Sequence, residues 1–346
     1  MNAFVLAGDR GERRQVGGMN KALLTLEGRP LIIHVLSALD QARGVDRIYV
    51  IGPQKEIMGA IEQALPYVLF TKKIEVLPQK ENLVENILSA YASSLPGYRK
   101  GSDPRQLPNA DEPGLFLPAD IPLVTAAEID AFISACDMEK YDYCLGVTSE
   151  SALRPFYPSK GRPGIKMPYL YLKDQVYRMN NLHLARPYRI GMADAVQEMY
   201  DHRHQRYTGN RFRIAYRILK SPHGPSGLVF YLLAQGGVFF MNAGLPSIAS
   251  FFRKRLPAEA VEKEASTFLQ TRFKAVETRI GGAALDVDDE KAYRAISHRF
   301  REWKRYLAGF DEKSDGPLCP GDGAVCGRYS ETTREASEKR QSNKLA

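Results

Sequence analysis

The sequence predicts an α/β fold built on a Rossmann-like mixed, mostly parallel sheet, and three observations predict it. Short apolar runs ending in Gly, Pro or Asp alternate with segments of helical periodicity through the first half of the chain. In a parallel sheet the run ends at Gly8, Gly52, Pro78 and Asp120 fall along one rim, where open α/β sheets bind ligands. The 346 residues also exceed what one such core requires, which leaves room for an inserted region.

The elements follow in order. Phe4-Val5-Leu6-Ala7 is the first strand, and residues 30–42 repeat apolar positions at helical spacing through Leu31, Val35, Leu36 and Leu39. Residues 47–51 form the next strand, stopped by Gly52-Pro53. A helix over 56–64, a strand over 74–77 and a helix over 82–93 come next. Residues 95–113 are rich in Pro, Gly, Asp and Asn and read as a surface loop. A strand at 115–117 ends at Pro118-Ala119-Asp120, and a helix over 126–137 and a strand over 143–147 follow.

From about residue 149 the alternation breaks. Residues 149–246 are rich in Tyr, Arg, His and Pro and read as an insertion, with a helix over 192–203 and an apolar run over 227–241. The core of that run, Leu228-Val229-Phe230-Tyr231-Leu232-Leu233, has the length of a buried segment; a surface-seeking one is the alternative. Residues 257–271 predict an amphipathic helix, 273–279 a strand, 284–289 a short strand ending in acids, and 290–307 a helix. Residues 311–346 carry almost no large apolar side chains and are expected to be disordered.

Composition narrows the classes. No run of 18 apolar residues is present, and the N-terminus lacks a charged leader and cleavage site, so the expectation is a soluble, cytoplasmic protein without a membrane span. The net charge of +8 favours anionic partners, with basic residues gathered at 203–217 and in the tail. No basic stripe interleaved with stacking aromatics marks a nucleic-acid module. Cys136 and Cys144 read as small buried hydrophobes, and Cys319 and Cys326 lack a second pair at zinc spacing.

Five groups of residues carry chemistry. Leu6-Ala7-Gly8-Asp9-Arg10-Gly11 follows a strand and leads to Lys21, so loop amides and a lysine can neutralise a polyphosphate. Asp120 ends a buried strand, where a carboxylate can hold a divalent ion against phosphate oxygens or cap the next helix. In Leu285-Asp286-Val287-Asp288-Asp289-Glu290, strand alternation points Asp286 and Asp288 to one side, while a helix cap at Asp288 or Asp289 is the plainer reading. Gln79, Asn82 and Asn86 open the helix after the third strand, with an ordinary cap at Asn82 as the alternative. Within the insertion, Lys166, Arg178, Asn181, His183 and Arg186 read either as anion-binding groups or as a solvated basic strand.

Leu6-Ala7-Gly8, Lys21-Ala22-Leu23-Leu24 and Gly28-Arg29-Pro30-Leu31, followed by Asp120-Ile121-Pro122 and the late Asp286-Val287-Asp288, stand in the order found in the MobA-like NTP transferase superfamily, which the chain resembles. That superfamily includes molybdenum-cofactor guanylyltransferase and sugar- and alditol-phosphate nucleotidylyltransferases. The resemblance implies a fold of the nucleotide-diphospho-sugar transferase type and transfer of an NMP from an NTP to a phosphorylated acceptor with release of pyrophosphate. It implies that Leu6, Ala7, Gly8, Arg10 and Gly11 line the phosphate loop and that Lys21 stabilises charge on the α-phosphate. Mg²⁺ would be held by Asp120 with Asp288 and, second, Asp286. Gln79, Asn82 and Asn86 would meet base and ribose. Outside the resemblance, the chemistry of arginine forks makes Lys166, Arg178, Asn181 and Arg186 the candidates for the acceptor phosphate.

The resemblance covers about residues 3–147 and 273–307, so that residues 1–148 read as the NTP-binding core and 247–310 as its completion, while the insertion 149–246 lies outside the resemblance and reads from its composition as an acceptor-side subdomain. The sequence departs from the family pattern at Asp9, at Asn20 in place of proline, and at Asp289-Glu290 in place of Thr-Pro. A nucleotide-sugar-dependent glycosyltransferase and a non-catalytic nucleotide-binding module are the alternatives. The first should carry Asp-x-Asp at the fourth strand, where this chain has a lone Asp120.

Overall fold

The computed structural model describes residues 1–8, 18–191, 197 and 224–311. β1 (Asn2–Leu6) buries both faces: Ala3 and Val5 enter one core and Phe4 the other, because successive strand side chains point to opposite sides. β2 (Thr25–Leu26) and β3 (Arg29–Pro30) then form a small hairpin. Its turn residues Glu27 and Gly28 take φ of 50° and 76°, a positive-φ pair that suits the twist of a two-residue hairpin turn.

α1 (Leu31–Gln41), β4 (Arg47–Gly52), α2 (Gln54–Ala64), β5 (Lys73–Pro78) and α3 (Leu83–Ser94) follow the alternation read from the sequence. Past the 95–113 loop come β6 (Gly114–Pro118), α4 (Ala126–Ala135), β7 (Tyr143–Ser149) and the single turn α5 (Glu150–Leu153). The chain then forms β8 (Leu170–Tyr171) and β9 (Val176–Ala185). The last described elements are α6 (Gly224–Asn242), α7 (Pro246–Arg253), α8 (Ala258–Leu269), β10 (Phe273–Thr278) and α9 (Glu290–Asp311).

The main sheet runs in the order β10-β7-β9-β6-β1-β4-β5, with β8 paired to β9. Its pairs are parallel except those of β9, which runs antiparallel to β6, β7 and β8. The sheet is therefore mixed and mostly parallel, the class the sequence predicts. On one face α1 and α4 pack over Val5, Ile48, Val50, Leu115 and Leu117. On the other, Phe4 stacks on Phe116 and Tyr49 with ring centroids 4.8 and 5.4 Å apart, covered by Tyr91 of α3. A further cluster forms where α9 sets Ile296, Phe300, Trp303 and Leu307 against Phe156 and Leu285.

Three expectations change. β9 lies inside the stretch 149–246 yet sits in the middle of the sheet, so that stretch is not a separate insertion over this strand. Its polar composition, Arg178-Met179-Asn180-Asn181, hides the buried alternation of Asn180, Leu182 and Leu184. Residues 284–289 form no ladder; a 3₁₀ turn over Gly282–Ala284 leads into an extended segment beside β6. The apolar run over 227–241 is a helix packed on one side only, leaving Val229, Leu232 and Phe239 more than half exposed. The expected helix over 192–203 lies, except for Gln197, outside the described residues, as do residues 312–346 with Cys319 and Cys326. Cys144 is buried and Cys136 half-buried, as small apolar residues.

Candidate active site

The site lies where the parallel strands end. Leu6 is opposite both Ile51 and Pro118, and Gly52 is opposite Pro78, so β1, β4, β5 and β6 stop at one level. Their ends are laced together: Ala7 N–H donates to Ile51 O at 2.8 Å, and Ala119 N–H donates to Leu6 O at 3.1 Å. Gly52 permits this closeness, since a Cβ there would stand 2.8 Å from the Ala7 carbonyl oxygen. Gly8 leaves the sheet at the centre of this rim. Arg10 and Gly11 lie outside the described residues.

Lys21 opens a 3₁₀ turn, Lys21–Leu23, whose preceding residue is Asn20. The Asn20 side chain accepts from Ala22 N–H at 2.9 Å and donates to Ala7 O at 3.2 Å. One amide thereby caps the turn and ties it to the end of β1, which a proline at this position cannot do.

Lys21 Nζ stands 3.6 Å from Asp120 Oδ2 and 3.5 Å from Asp288 Oδ1. The two acids come from segments far apart in the chain, joined by the Val287 N–H, which donates to Asp120 O at 2.9 Å. Asp286 is nearly buried and paired with the Arg178 guanidinium, whose Nε also donates to Ala284 O at 3.0 Å. Burial pushes the Asp286 carboxyl up to about 7, with Asp288 and Asp120 adding to the rise, and the Arg178 charge only partly opposes it. Asn181 Nδ2 donates to Ala283 O at 2.8 Å, so two side chains of β9 hold the approach to the acidic segment.

Among the described residues, no three His, Cys, Asp or Glu side chains form a metal cage. The residues that could hold a divalent ion are Asp120 and Asp288, which converge on one ammonium. Asp286, the second choice from sequence, is engaged by Arg178.

On the other side of Gly8 stand two amides: a Cβ on Gly8 would be 3.4 Å from Gln79 Oε1 and 3.9 Å from Asn86 Nδ2. Asn86 is buried and accepts from Lys80 N–H, which fixes its carbonyl and leaves its NH₂ toward Gly8. Asn82 is the N-cap of α3, accepting from Glu85 N–H at 2.8 Å, so its plainer reading is the structural one.

The acceptor-side group is split by the direction of β9. Arg178 pairs with Thr148 at the rim, whereas Ala185 pairs with Gly114 and Tyr143 at the opposite end of the sheet. Arg186 is therefore remote from the acids. Its guanidinium donates to Asp111 O, Met138 O and Tyr141 O, and it joins Arg189 and Arg272 around the buried Asp142. His183 lies mid-strand with its ring nitrogen 2.9 Å from Tyr143 Oη. Lys166 is exposed between α5 and β8.

Glu128 was not legible as a site residue. It is fully buried in the first turn of α4, and its carboxylate accepts from Gly281 N–H at 3.0 Å, Ala283 N–H at 2.8 Å and Thr278 Oγ1 at 3.3 Å. Thr278 Oγ1 in turn meets Thr148 Oγ1 at 3.0 Å and Asn180 Nδ2 at 2.9 Å. Burial outweighs these donors and pushes the carboxyl up to about 7. Glu128 joins the loop after Asp120 to the turn before Asp286, the only sequence signal being a charged residue within an otherwise apolar helix start.

The MobA-like NTP transferase domain model matches residues 3–206, more than half of the chain. A 2-C-methyl-D-erythritol 4-phosphate cytidylyltransferase of Geotalea uraniireducens is 36% identical over 97 residues, which cover 27% of this chain and 41% of that protein. One of Rubrobacter xylanophilus is 44% identical over 55 residues, covering 16% of this chain and 22% of its own length. The chain thus spans less than half the length of the curated relatives it matches. A solved hypothetical transferase from Thermus thermophilus superposes with a TM-score of 0.51 at 20% identity, over 84% of this chain and 98% of that one, a likeness of fold. With the family's strand-end glycine, lysine and two acidic segments gathered on one rim, the chain belongs to the MobA-like NTP transferase family.

Proposed function

We propose that the chain is a Mg²⁺-dependent nucleotidyltransferase that moves an NMP from an NTP to a phosphorylated small-molecule acceptor. The observation that carries this reading is Lys21 held between Asp120 and Asp288 beside Gly8. Two carboxylates converging on one cation suit Mg²⁺, which dehydrates reluctantly, keeps several waters and takes few protein ligands. When bound, the ion would neutralise phosphate charge between donor and acceptor.

The protein's own part is positioning and electrostatics. The Gly8 backbone lets the triphosphate approach the rim, Gln79 and Asn86 meet the nucleoside, and Lys21 turns from the two acids to the α-phosphate as charge builds there. An acceptor phosphate oxygen attacks the α-phosphorus in line while the bond to the bridging oxygen breaks and pyrophosphate leaves. No protein base is required, because a phosphate monoester is ionised near neutral pH. Arg178 and Asn181 stand on the acceptor side through the turn they hold.

The cytidylyltransferase relatives favour CTP and a sugar- or alditol-phosphate acceptor as the first pair to test. Pyrophosphate release measured with each of four NTPs and a panel of phosphorylated acceptors should single out one pair. Intact release in both Lys21→Ala and Asp120→Ala would sink the mechanism. Tight NTP binding without pyrophosphate from any acceptor would point instead to a nucleotide-binding module.

A further inference from the structure

α6 and α7 form a helical hairpin on the edge of the fold. Its inner side is closed by Phe240 stacked on Phe252 at 5.4 Å, and by Gly236, where a Cβ would stand 2.6 Å from the Phe252 ring. Its outer side is open. Val229, Leu232 and Phe239 are spaced by 3 and 7 residues on one face of α6, and Ile248 and Phe251 by 3 on α7, with Leu245 in the exposed tip between them. All six are between 43% and 62% exposed, and α6 has no charged residue in 19. Scattered apolar residues need no explanation, but six exposed ones on a single helical hairpin do.

The charges that follow α7 directly in the chain are of one sign, and the acids Glu259, Glu262 and Glu264 come only in α8. Arg253 ends α7 and Lys254 and Arg255 follow it, with the Arg255 guanidinium over the exposed Phe251 ring, 3.6 Å from the centroid. From residue 202 to 258 the sequence contains nine Lys and Arg and no Asp or Glu. A second copy of the chain is a poor occupant, since a two-fold contact would bring these cations face to face. Nucleic acid would leave Val229, Leu232, Leu245 and Ile248 without partners. No helix among the described residues is long and apolar enough to cross a membrane, whereas an exposed apolar face bordered by cations has the make-up of a surface that lies on one.

We propose that the α6–α7 hairpin docks the protein on an anionic lipid bilayer, with its apolar face in the acyl boundary and its cations at the phosphate headgroups. The hairpin is held to the fold through Arg253, which donates to Leu172 O at 3.1 Å next to β8. Docking would therefore orient the strand pair β8–β9, which carries Arg178, relative to the membrane surface.

The test is co-sedimentation of the full chain with phosphatidylcholine vesicles and with vesicles of phosphatidylcholine mixed with phosphatidylglycerol. Binding to the mixed vesicles, weak binding to the neutral ones, and partial release by salt are expected. Phe239→Ser with Phe251→Ser should weaken binding by about tenfold or more, since each ring is more than half exposed and its exposed area would be buried in lipid. Lys254→Gln and Arg255→Gln should each weaken it by about fivefold. Equal binding to both vesicle types, binding insensitive to the serine pair, or no binding at all would overturn the proposal. So would a concentration-dependent dimer that the serine pair abolishes while sedimentation is unchanged. Thermal unfolding of each variant separates lost docking from lost folding, and the two charge variants keep the test decisive if the serine pair misfolds.

Discussion

The two walls of the site are built in different ways. The wall proposed for the nucleotide is mostly local: Gln79 and Asn86 come from the end of β5 and the first turns of α3, whose cap is Asn82, and meet Gly8 at the end of β1. The acidic wall is assembled from segments more than a hundred residues apart, bolted by Glu128, by Arg178 and by a single hydrogen bond from Val287 to Asp120. A local wall tolerates the loss of one contact, because its backbone bonds remain. A bolted wall has buried polar groups on both sides of the joint and loses more when one is removed.

The largest break should come at Glu128. Glu128→Ala leaves two buried amides and Thr278 without their acceptor, which should cost about 3 to 5 kcal/mol of stability. Glu128→Gln should cost less and still lower kcat through the acidic segment, read by urea unfolding and pyrophosphate release on the same preparation. The folded carboxyl lies near 7, above its ordinary 4.5, so its proton stabilises the fold at low pH and that contribution is lost as pH rises through about 7. The stability gap between wild type and Glu128→Gln should accordingly narrow over that window.

Next is Lys21, at the joint of the two walls. Lys21→Ala should reduce kcat by about 10² to 10³ with little change in unfolding midpoint, because in the proposed transfer its charge acts on the transferring phosphate. A loss confined to KM would place Lys21 in ground-state binding instead.

The hairpin behind Lys21 rests on His34, which is buried with Nε2 3.0 Å from Leu26 O. Burial depresses its pKa to about 4, so its contribution is present above about 6.5 and lost as pH falls to about 4. That loss should reach up to about 3 kcal/mol and be absent in His34→Gln, measured by thermal unfolding across the acid range. The smallest effect belongs to the local wall. Asn82→Ala should cost about 1 kcal/mol as a lost helix cap and leave turnover nearly unchanged.

The same contrast explains what could be read in the sequence. Strands β1, β4, β5, β6, β7 and β10 and their helices carry their own periodicity and stop signals, and the structure keeps their spans within a few residues. Gly8 and Asp120 were visible because each is tied to such a stop, and Lys21 and the late acids because their residue types stand in the family's order. β9 was not, since Arg178, Asn180 and Asn181 are buried or half-buried by pairing with distant groups, and no local pattern marks that. Arg178 and Arg186 look alike in sequence, yet an antiparallel strand carries one to the rim and the other to the far end.

By itself, then, the sequence determined the α/β class, the rim and the residue types on it, because short-range hydrophobic period and turn chemistry decide where strands begin and stop. Only the tertiary structure decided that Lys21 stands between Asp120 and Asp288, that Asp286 is held by Arg178, and that Glu128 joins the acidic segments. Those are contacts between groups far apart in the chain, whose partners are chosen by sheet order and burial, and neither is written in local spacing.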